Sequence, residues 1–231
     1  MDKPRIAFIC GDCELAGKVL AWLVLQDMKP EMIDTTSRIL SPLGIRKLKE
    51  FEPDYILSVH FPHILPPEIL AIPKKGCINL HPAYLPWNKG WHTPSWALLD
   101  GTPAGATLHF MDEGIDTGPI IARKEVRPSP DDTTHTLYAK ILAAEFELFK
   151  ETWPKLLSGD YVADLQNPDG GNMHHKKDLA EVQEITIYND TQHYNLIRKL
   201  RALTTNDISE AAYFIEDGRK FRVQVKITEE V

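Results

Sequence analysis

Apolar positions come in short runs separated by glycine- and proline-bearing turns, and the period of each run indicates its element. Arg5-Ile6-Ala7-Phe8-Ile9-Cys10 is continuous and apolar and stops at Gly11, the pattern of a buried strand. After Asp12, Leu15 to Leu25 carries apolar residues at helical spacing, so the chain opens as strand, glycine, helix. Met32-Ile33-Asp34 predicts a second short strand and Pro42 to Lys49 a helix. Tyr55 to Val59 and Cys77 to Leu80 predict further strands, and Pro82 to Thr93 a long ordered loop. Ser95 to Leu99 is helical and closed by Asp100-Gly101. Ala106 to Phe110 and Ile120 to Val126 are strands around a polar turn, and Thr134 to Leu157 is one long amphipathic helix containing Pro154. Strands alternating with helices predict an α/β fold, a mostly parallel sheet with helices on both faces.

Beyond Ser158-Gly159 the pattern changes. Gln166 to Asp178 holds Asn, Pro, Gly-Gly, His-His and Lys-Lys and reads as an extended linker or surface segment. A helix from Thr191 to Ala202 follows, then a hairpin of Tyr213-Phe214-Ile215 with Phe221 to Val225 about Asp217-Gly218. The expected division is a catalytic α/β domain over 1–165, a linker over 166–180 and a small C-terminal helix-and-hairpin module over 181–231.

A chain of 231 residues buries enough surface to fold without disulfide or metal staples. With 26 basic and 33 acidic residues the net charge is −7, which gives no general attraction for nucleic acid or anionic lipid. No run approaches the ~18 apolar residues of a membrane span, and Met1 to Arg5 leads into only a short apolar stretch. The expectation is a cytoplasmic protein without a leader. Three cysteines fit a reducing compartment. Cys10 and Cys13 are spaced C-x-x-C, but the Gly11-Asp12 between them and the lack of a second pair favour buried thiols over a redox or zinc motif.

Two segments carry chemistry. Asn79-Leu80-His81-Pro82 ends a strand, at the sheet edge where open α/β folds bind ligands. Alternation puts Asn79 and His81 on one side and Leu80 on the other. An amide donor beside an imidazole suits a reaction that builds charge on an oxygen and moves a proton. Asp112-Glu113-Gly114-Ile115-Asp116-Thr117-Gly118-Pro119 is a tight loop able to bring a carboxylate and backbone groups to a ligand. Taken singly, a histidine after a strand fits a packed structural role and an acidic glycine loop fits a solvated turn. The loop lacks calcium-ligand spacing, and no metal is expected.

Together, Asn79-Leu80-His81-Pro82-Ala83-Tyr84-Leu85-Pro86 and His109 to Ile120 resemble the folate-dependent formyltransferase superfamily, most sharply over Phe61 to Val126. The resemblance implies a Rossmann-like α/β domain and a catalytic set of Asn79, His81 and Asp116. It also implies N10-formyltetrahydrofolate as co-substrate, held by Phe61, His63, Ile64 and Leu65 on one side and by Asp112, Glu113 and Ile115 on the other. In that chemistry Asn79 would donate to the oxygen that gains charge, His81 would relay a proton, and Asp116 would orient and polarise His81.

The Trp87-Asn88-Lys89-Gly90-Trp91 loop and the C-terminal tail look most like sugar N-formyltransferases, which act on a nucleotide-linked aminodeoxy sugar of the dTDP or GDP type. Asn88, Lys89 and Trp91 are the expected contacts to that acceptor, with an aromatic face for the ring and a point charge for the diphosphate. Trp87 and Trp91 pinning the loop to the core is the plainer alternative. A methionyl-tRNA acceptor fits less well, because the segment after Gly171 is only about 60 residues and not conspicuously basic. A glycinamide ribonucleotide acceptor is disfavoured by the hairpin tail, and a folate binder without transfer activity by the intact Asn79, His81 and Asp116. The resemblance further implies a homodimer and a role in lipopolysaccharide or other surface-glycan synthesis.

Overall fold

The apolar runs become the middle of one sheet. The structure is a computed structural model that describes residues 3–11, 13–34, 41–184, 193–216 and 218–229. The first unit runs β1 (Ile6–Cys10), α1 (Glu14–Leu25), β2 (Glu31–Asp34), α2 (Pro42–Phe51), β3 (Tyr55–Val59), α3 (Pro67–Leu70), β4 (Gly76–His81), β5 (Lys89–Gly90), α4 (Thr93–Asp100), β6 (Ala104–Phe110), β7 (Ile120–Val126) and α5 (Thr134–Ser158). Then come β8 (Met173–His174), α6 (Asp178–Glu181), α7 (His193–Ala202), β9 (Ala212–Glu216) and β10 (Arg219–Val223).

The six-stranded sheet has the order β2-β1-β3-β4-β6-β7. The strands from β2 to β4 are parallel, and β6 and β7 turn back antiparallel, so the sheet is α/β and mostly parallel as expected. Every residue of β1 and β3 is buried. That requires cover on both faces, and the apolar clusters supply it. Phe8, Leu57 and Leu80 pack with Val19 of α1 and with Phe149 and Trp153 of α5 on one face. Ala7, Ile9, Ile56 and Cys77 pack with Leu48 of α2, Leu65 and Ile69 on the other. Strand β4 carries Asn79 and His81 to the carboxyl edge of this frame, whereas the loop after β6 leaves beside Cys77, at the amino end of β4.

The helices start where local chemistry permits. Ser41 Oγ accepts from Gly44 N at 3.1 Å ahead of α2, with Pro42 at its first position. Thr133 and Thr136 form a reciprocal cap on α5, which contains Pro154 and closes on Gly159 at φ 77°. Among the described residues no helix is long and apolar enough to cross a membrane.

The stretch 166–180, expected as an extended linker or surface segment, is tied to the first unit. Met173 and His174 form a ladder with Lys89 and Gly90, and His174 stacks on Trp96 at 3.8 Å. Its polar composition pairs with loop backbone instead of facing water throughout. Helix α7 is docked by its arginines: Arg198 Nε donates to Leu98 O at 3.1 Å, and Arg201 donates to Asp132 O and Ser129 O, both at 2.7 Å. The hairpin pairs β9 with β10 and stacks Phe214 on Phe221 at 5.3 Å. The predicted helix start at Thr191 and turn residue Asp217 lie outside the described residues.

Candidate active site

Strand β4 delivers two of the expected groups. Its alternation keeps Ile78 and Leu80 in the core packed by α1 and α5 and turns Asn79 and His81 the other way. The antiparallel register then sets His109 of β6 directly opposite Asn79. The loop after β6 supplies Asp116, which sits at φ 53°. This left-handed backbone, unusual for a residue with a Cβ, is stabilised from several sides. Gln166 Nε2 donates to Asp116 O at 2.9 Å and to Gly118 O at 2.8 Å. Asp112 Oδ1 accepts from Gly114 N at 3.0 Å and from Thr117 Oγ1 at 2.6 Å. Gly118 must be glycine, since a Cβ there would lie 2.0 Å from Phe110 O.

These groups converge. Asp116 Oδ2 accepts from Gly90 N at 2.9 Å and lies 3.6 Å from His81 Nε2. Asp116 Oδ1 is 3.5 Å from both Asn79 Nδ2 and His109 Nε2, and Asn79 Nδ2 is 3.4 Å from His109 Nε2. His109 Nδ1 meets Phe110 O at 2.7 Å, so that nitrogen carries the hydrogen and Nε2 is an acceptor. Contacts of 3.4–3.6 Å thus gather Asn79, His81, His109 and Asp116 around one point.

Burial sets the charges. Complete burial pushes the His81 imidazole below its ordinary value, against the pull of Asp116. Burial would raise Asp116, but the His81 and His109 imidazoles and the Gly90 N–H together hold its carboxyl well below the usual range. The site thus pairs a neutral imidazole with a carboxylate. His81 Nε2 is buried and, among the described residues, has no hydrogen-bond partner. An unpaired buried acceptor is costly, so it marks a position that a ligand hydrogen fills.

The three side chains open onto a cavity of about 360 Å3, within the range of small-molecule sites. Phe61, His63, Ile64 and Leu65 line it, as do Asp112, Ile115 and Trp91. Glu113 is exposed and not on its wall. Asn88 and Lys89 are not on the wall either. Asn88 is 1% exposed and donates to Thr102 Oγ1 at 2.9 Å, and Lys89 is 7% exposed with Nζ 3.4 Å from Gly170 O. Lys89 belongs to the ladder with Met173, and Asn88 N donates to Asn172 Oδ1 at 2.6 Å just ahead of it, so both are held in the packing of the loop. His109, which the sequence does not single out, also lies on the wall beside Asn79 and Asp116. Its signal is a histidine sharing a strand face with Thr107 while Ala106 and Leu108 fill the core. Cys10, Cys13 and Cys77 form no disulfide among the described residues, and burial pushes Cys77 up to about 12. Among the described residues no group of three or more His, Cys, Asp or Glu is placed to hold a metal ion.

A mostly parallel sheet thus carries an amide and an imidazole on β4, met by a carboxylate from the loop after β6, and the comparisons identify the family. Residues 24–152 match the formyl transferase family, and residues 178–229 match the N-formyltransferase dimerization C-terminal domain. The chain belongs to the formyl transferase family and is an enzyme of that class. It is 31% identical to the dTDP-4-amino-4,6-dideoxyglucose formyltransferase of Mycobacterium tuberculosis (strain ATCC 25618 / H37Rv), over 77% of this chain and 74% of that one. A sugar N-formyltransferase from Shewanella sp. superposes with a TM-score of 0.85 over 98% of this chain and 99% of that one, at 24% identity. The formyltransferase PseJ from Anoxybacillus kamchatkensis, solved with UDP-4,6-dideoxy-4-formamido-L-AltNAc and tetrahydrofolate, is 30% identical with a TM-score of 0.64, over 85% of this chain and 98% of that one.

Proposed function

We propose that the protein transfers the formyl group of N10-formyltetrahydrofolate to the amine of a nucleotide-linked aminodeoxy sugar. The observation that carries this reading is His81 Nε2, buried at the cavity wall and without a hydrogen-bond partner among the described residues, 3.6 Å from a carboxylate and two residues along the strand from Asn79, on the same face. Similarity to the mycobacterial enzyme supports the sugar acceptor.

The cavity wraps the carboxyl edge of the sheet. Phe61, Leu65 and Met111 belong to the core on the α2 face, while Tyr138 and Thr134 come from α5 on the other. Phe61, Ile64, Leu65, Met111 and Ile115 form the apolar part of a slot that fits the folate, with Ile64 65% exposed along it. The folate supplies an electrophilic formyl carbonyl. The acceptor amine enters from the α5 side, where Trp91, His92, Thr205, Asn206 and Glu210 also line the cavity. Asn79 Nδ2 then donates to the carbonyl oxygen as charge builds there, a contribution of ~10²–10³ in rate. His81, neutral because it is buried, takes the amine proton on Nε2 and returns it to the leaving nitrogen. Asp116 holds His81 in register and stabilises it while it carries the proton. His109 fixes the Asn79 amide through its Nε2 acceptor.

The C-terminal module would join two chains. The match to a dimerization domain supports this, as do Ile215 at 52% and Phe221 at 41% exposure on the hairpin. Sedimentation at micromolar concentration should show a dimer, and a monomer would reject this part. The test of the reaction is incubation with formyl-folate and a panel of nucleotide-linked amino sugars, read as a mass gain of one CO on the sugar. Folate binding without product on any member would leave a binder and refute the enzyme assignment. Product only on methionyl-tRNA or glycinamide ribonucleotide would move the acceptor.

A further inference from the structure

A second polar cluster lies beside the cavity and takes no part in the chemistry above. Glu145 of α5 is fully buried, and among the described residues its hydrogen-bond partner is His60, which follows β3. His60 Nε2 lies 2.9 and 3.0 Å from the two Glu145 oxygens, and His60 Nδ1 lies 3.2 Å from Tyr138 Oη. Tyr138 and His60 both line the cavity.

Neutrality decides where the hydrogens sit. A carboxylate and an imidazole holding one proton between them would leave a negative charge in the interior, a strongly disfavoured state. The pair is neutral only with two protons, one between Nε2 and the carboxylate and one on Nδ1. This holds wherever the shared proton rests. Burial disfavours the charged ring, but the Glu145 carboxylate outweighs it and raises His60 to about 10. Nδ1–H therefore donates to Tyr138 Oη. The Cys13 thiol also lies against the ring, but sulfur is the weaker acceptor. A phenol oxygen that accepts this bond must aim its own hydrogen elsewhere. Among the described residues Tyr138 Oη has no second partner, so the O–H faces the cavity. Burial, with the Glu145 charge behind it, holds the phenol above its ordinary value, and the hydrogen stays on.

We infer that Tyr138, aimed by the Glu145–His60 pair, is a specificity-determining donor that binds an oxygen on the sugar ring of the formyl acceptor; this rests on the reaction proposed above. The folate is a poor candidate, because its slot lies on the opposite face of the sheet. A phosphoryl group is also poor: among the described residues no Lys or Arg lines the cavity, whereas Asp112, Asp116 and Glu210 do. A neutral hydroxyl or ring oxygen matches a neutral donor.

The test compares wild type with Tyr138→Phe, using the amino sugar on which wild type is most active. Loss of one hydrogen bond should raise the KM for the sugar about tenfold. Turnover and the folate KM should stay within about twofold, and inhibition by thymidine diphosphate alone should be unchanged. His60→Gln should raise the same KM but add nothing in the Tyr138→Phe background, because a positioning residue acts through the phenol. An unchanged sugar KM in folded Tyr138→Phe overturns the assignment, as does equal weakening of thymidine diphosphate. Additive effects in the double variant remove His60 from the positioning role. A wild-type chain that formylates no amino sugar removes the proposed reaction and this assignment together, whereas an active wild type with an indifferent Tyr138→Phe removes the assignment alone.

Discussion

Asp116→Asn isolates the carboxylate charge. The replacement has nearly the same shape, and its oxygen can still accept the Gly90 N–H that Asp116 Oδ2 accepts at 2.9 Å. Its new amide hydrogens can face the His109 Nε2 acceptor, 3.5 Å from Asp116 Oδ1, while Asn79 Nδ2 loses the long contact of 3.5 Å that it makes to that oxygen and keeps its contact to His109. The loop stays pinned by Gln166 and by Asp112, so the fold should persist. What vanishes is a negative charge 3.6 Å from His81 Nε2, the atom that carries the proton. A unit pair at that distance attracts by about 4–5 kcal/mol at an effective dielectric of ~20. Removing it should lower kcat by about three decades. The assay is formamido-sugar formation under saturating folate and acceptor, with melting curves beside it. A folded variant turning over within tenfold of wild type would show that Asp116 does not stabilise the proton-carrying imidazole.

Four shorter expectations follow. Because burial holds His81 below about 6.5, the acid limb of kcat/KM should fall below that pH, and Asp116→Asn should move it lower still by removing the anion that opposes the shift; an acid limb above pH ~7 would contradict a neutral working imidazole. The depressed Asp116 carboxyl also adds stability that is present above its unfolded value near ~3.9 and is lost as pH falls through the lower folded value, which urea titrations at graded acid pH can read. Gln166→Ala removes two bonds to the Asp116–Gly118 backbone and should cut kcat by about ten- to a hundredfold with folate binding nearly intact; unchanged turnover would show that the loop holds its shape without it. Trp153→Ala empties a fully buried site packed against Phe149 and Tyr55 and should cost about 3–5 kcal/mol in denaturant unfolding, and a cost under about 1 would mean the cavity collapses.

The frame was legible because buried strands announce themselves: β1, β3 and β4 are runs of apolar residues that end in glycine or polar chemistry. The position of Asn79 and His81 followed from alternation, a local rule. Asp116 came from the resemblance, since nothing local says that a loop 35 residues after His81 returns to it. What stayed hidden depends on pairing between distant segments. Opposition of His109 to Asn79 is a matter of antiparallel register, the burial of Lys89 goes with its ladder to Met173, and that of Asn88 with its bonds to Asn172 and Thr102. Asn88 at φ 57° gives no sequence sign beyond asparagine's tolerance of that conformation. Gln166 looked like linker because polar composition cannot distinguish water from a backbone carbonyl as the partner.

Glu145 lies between these cases. The buried stripe of α5 runs Leu137, Ile141, Glu145, Leu148, Phe149, Thr152 and places a carboxylate where every turn above and below is packed inward. Helical spacing alone therefore says that this charge is buried, and physical chemistry says that it has a partner. Neither says which one. Among nine histidines the choice falls on His60 because β3 ends opposite that turn of α5, a fact of sheet order and crossover geometry. The helical period thus exposes the demand for a counter-group, and only the tertiary arrangement supplies it. Its consequence, a phenol hydrogen aimed into the cavity, needs all three residues in place, 85 and 78 positions from His60 along the chain.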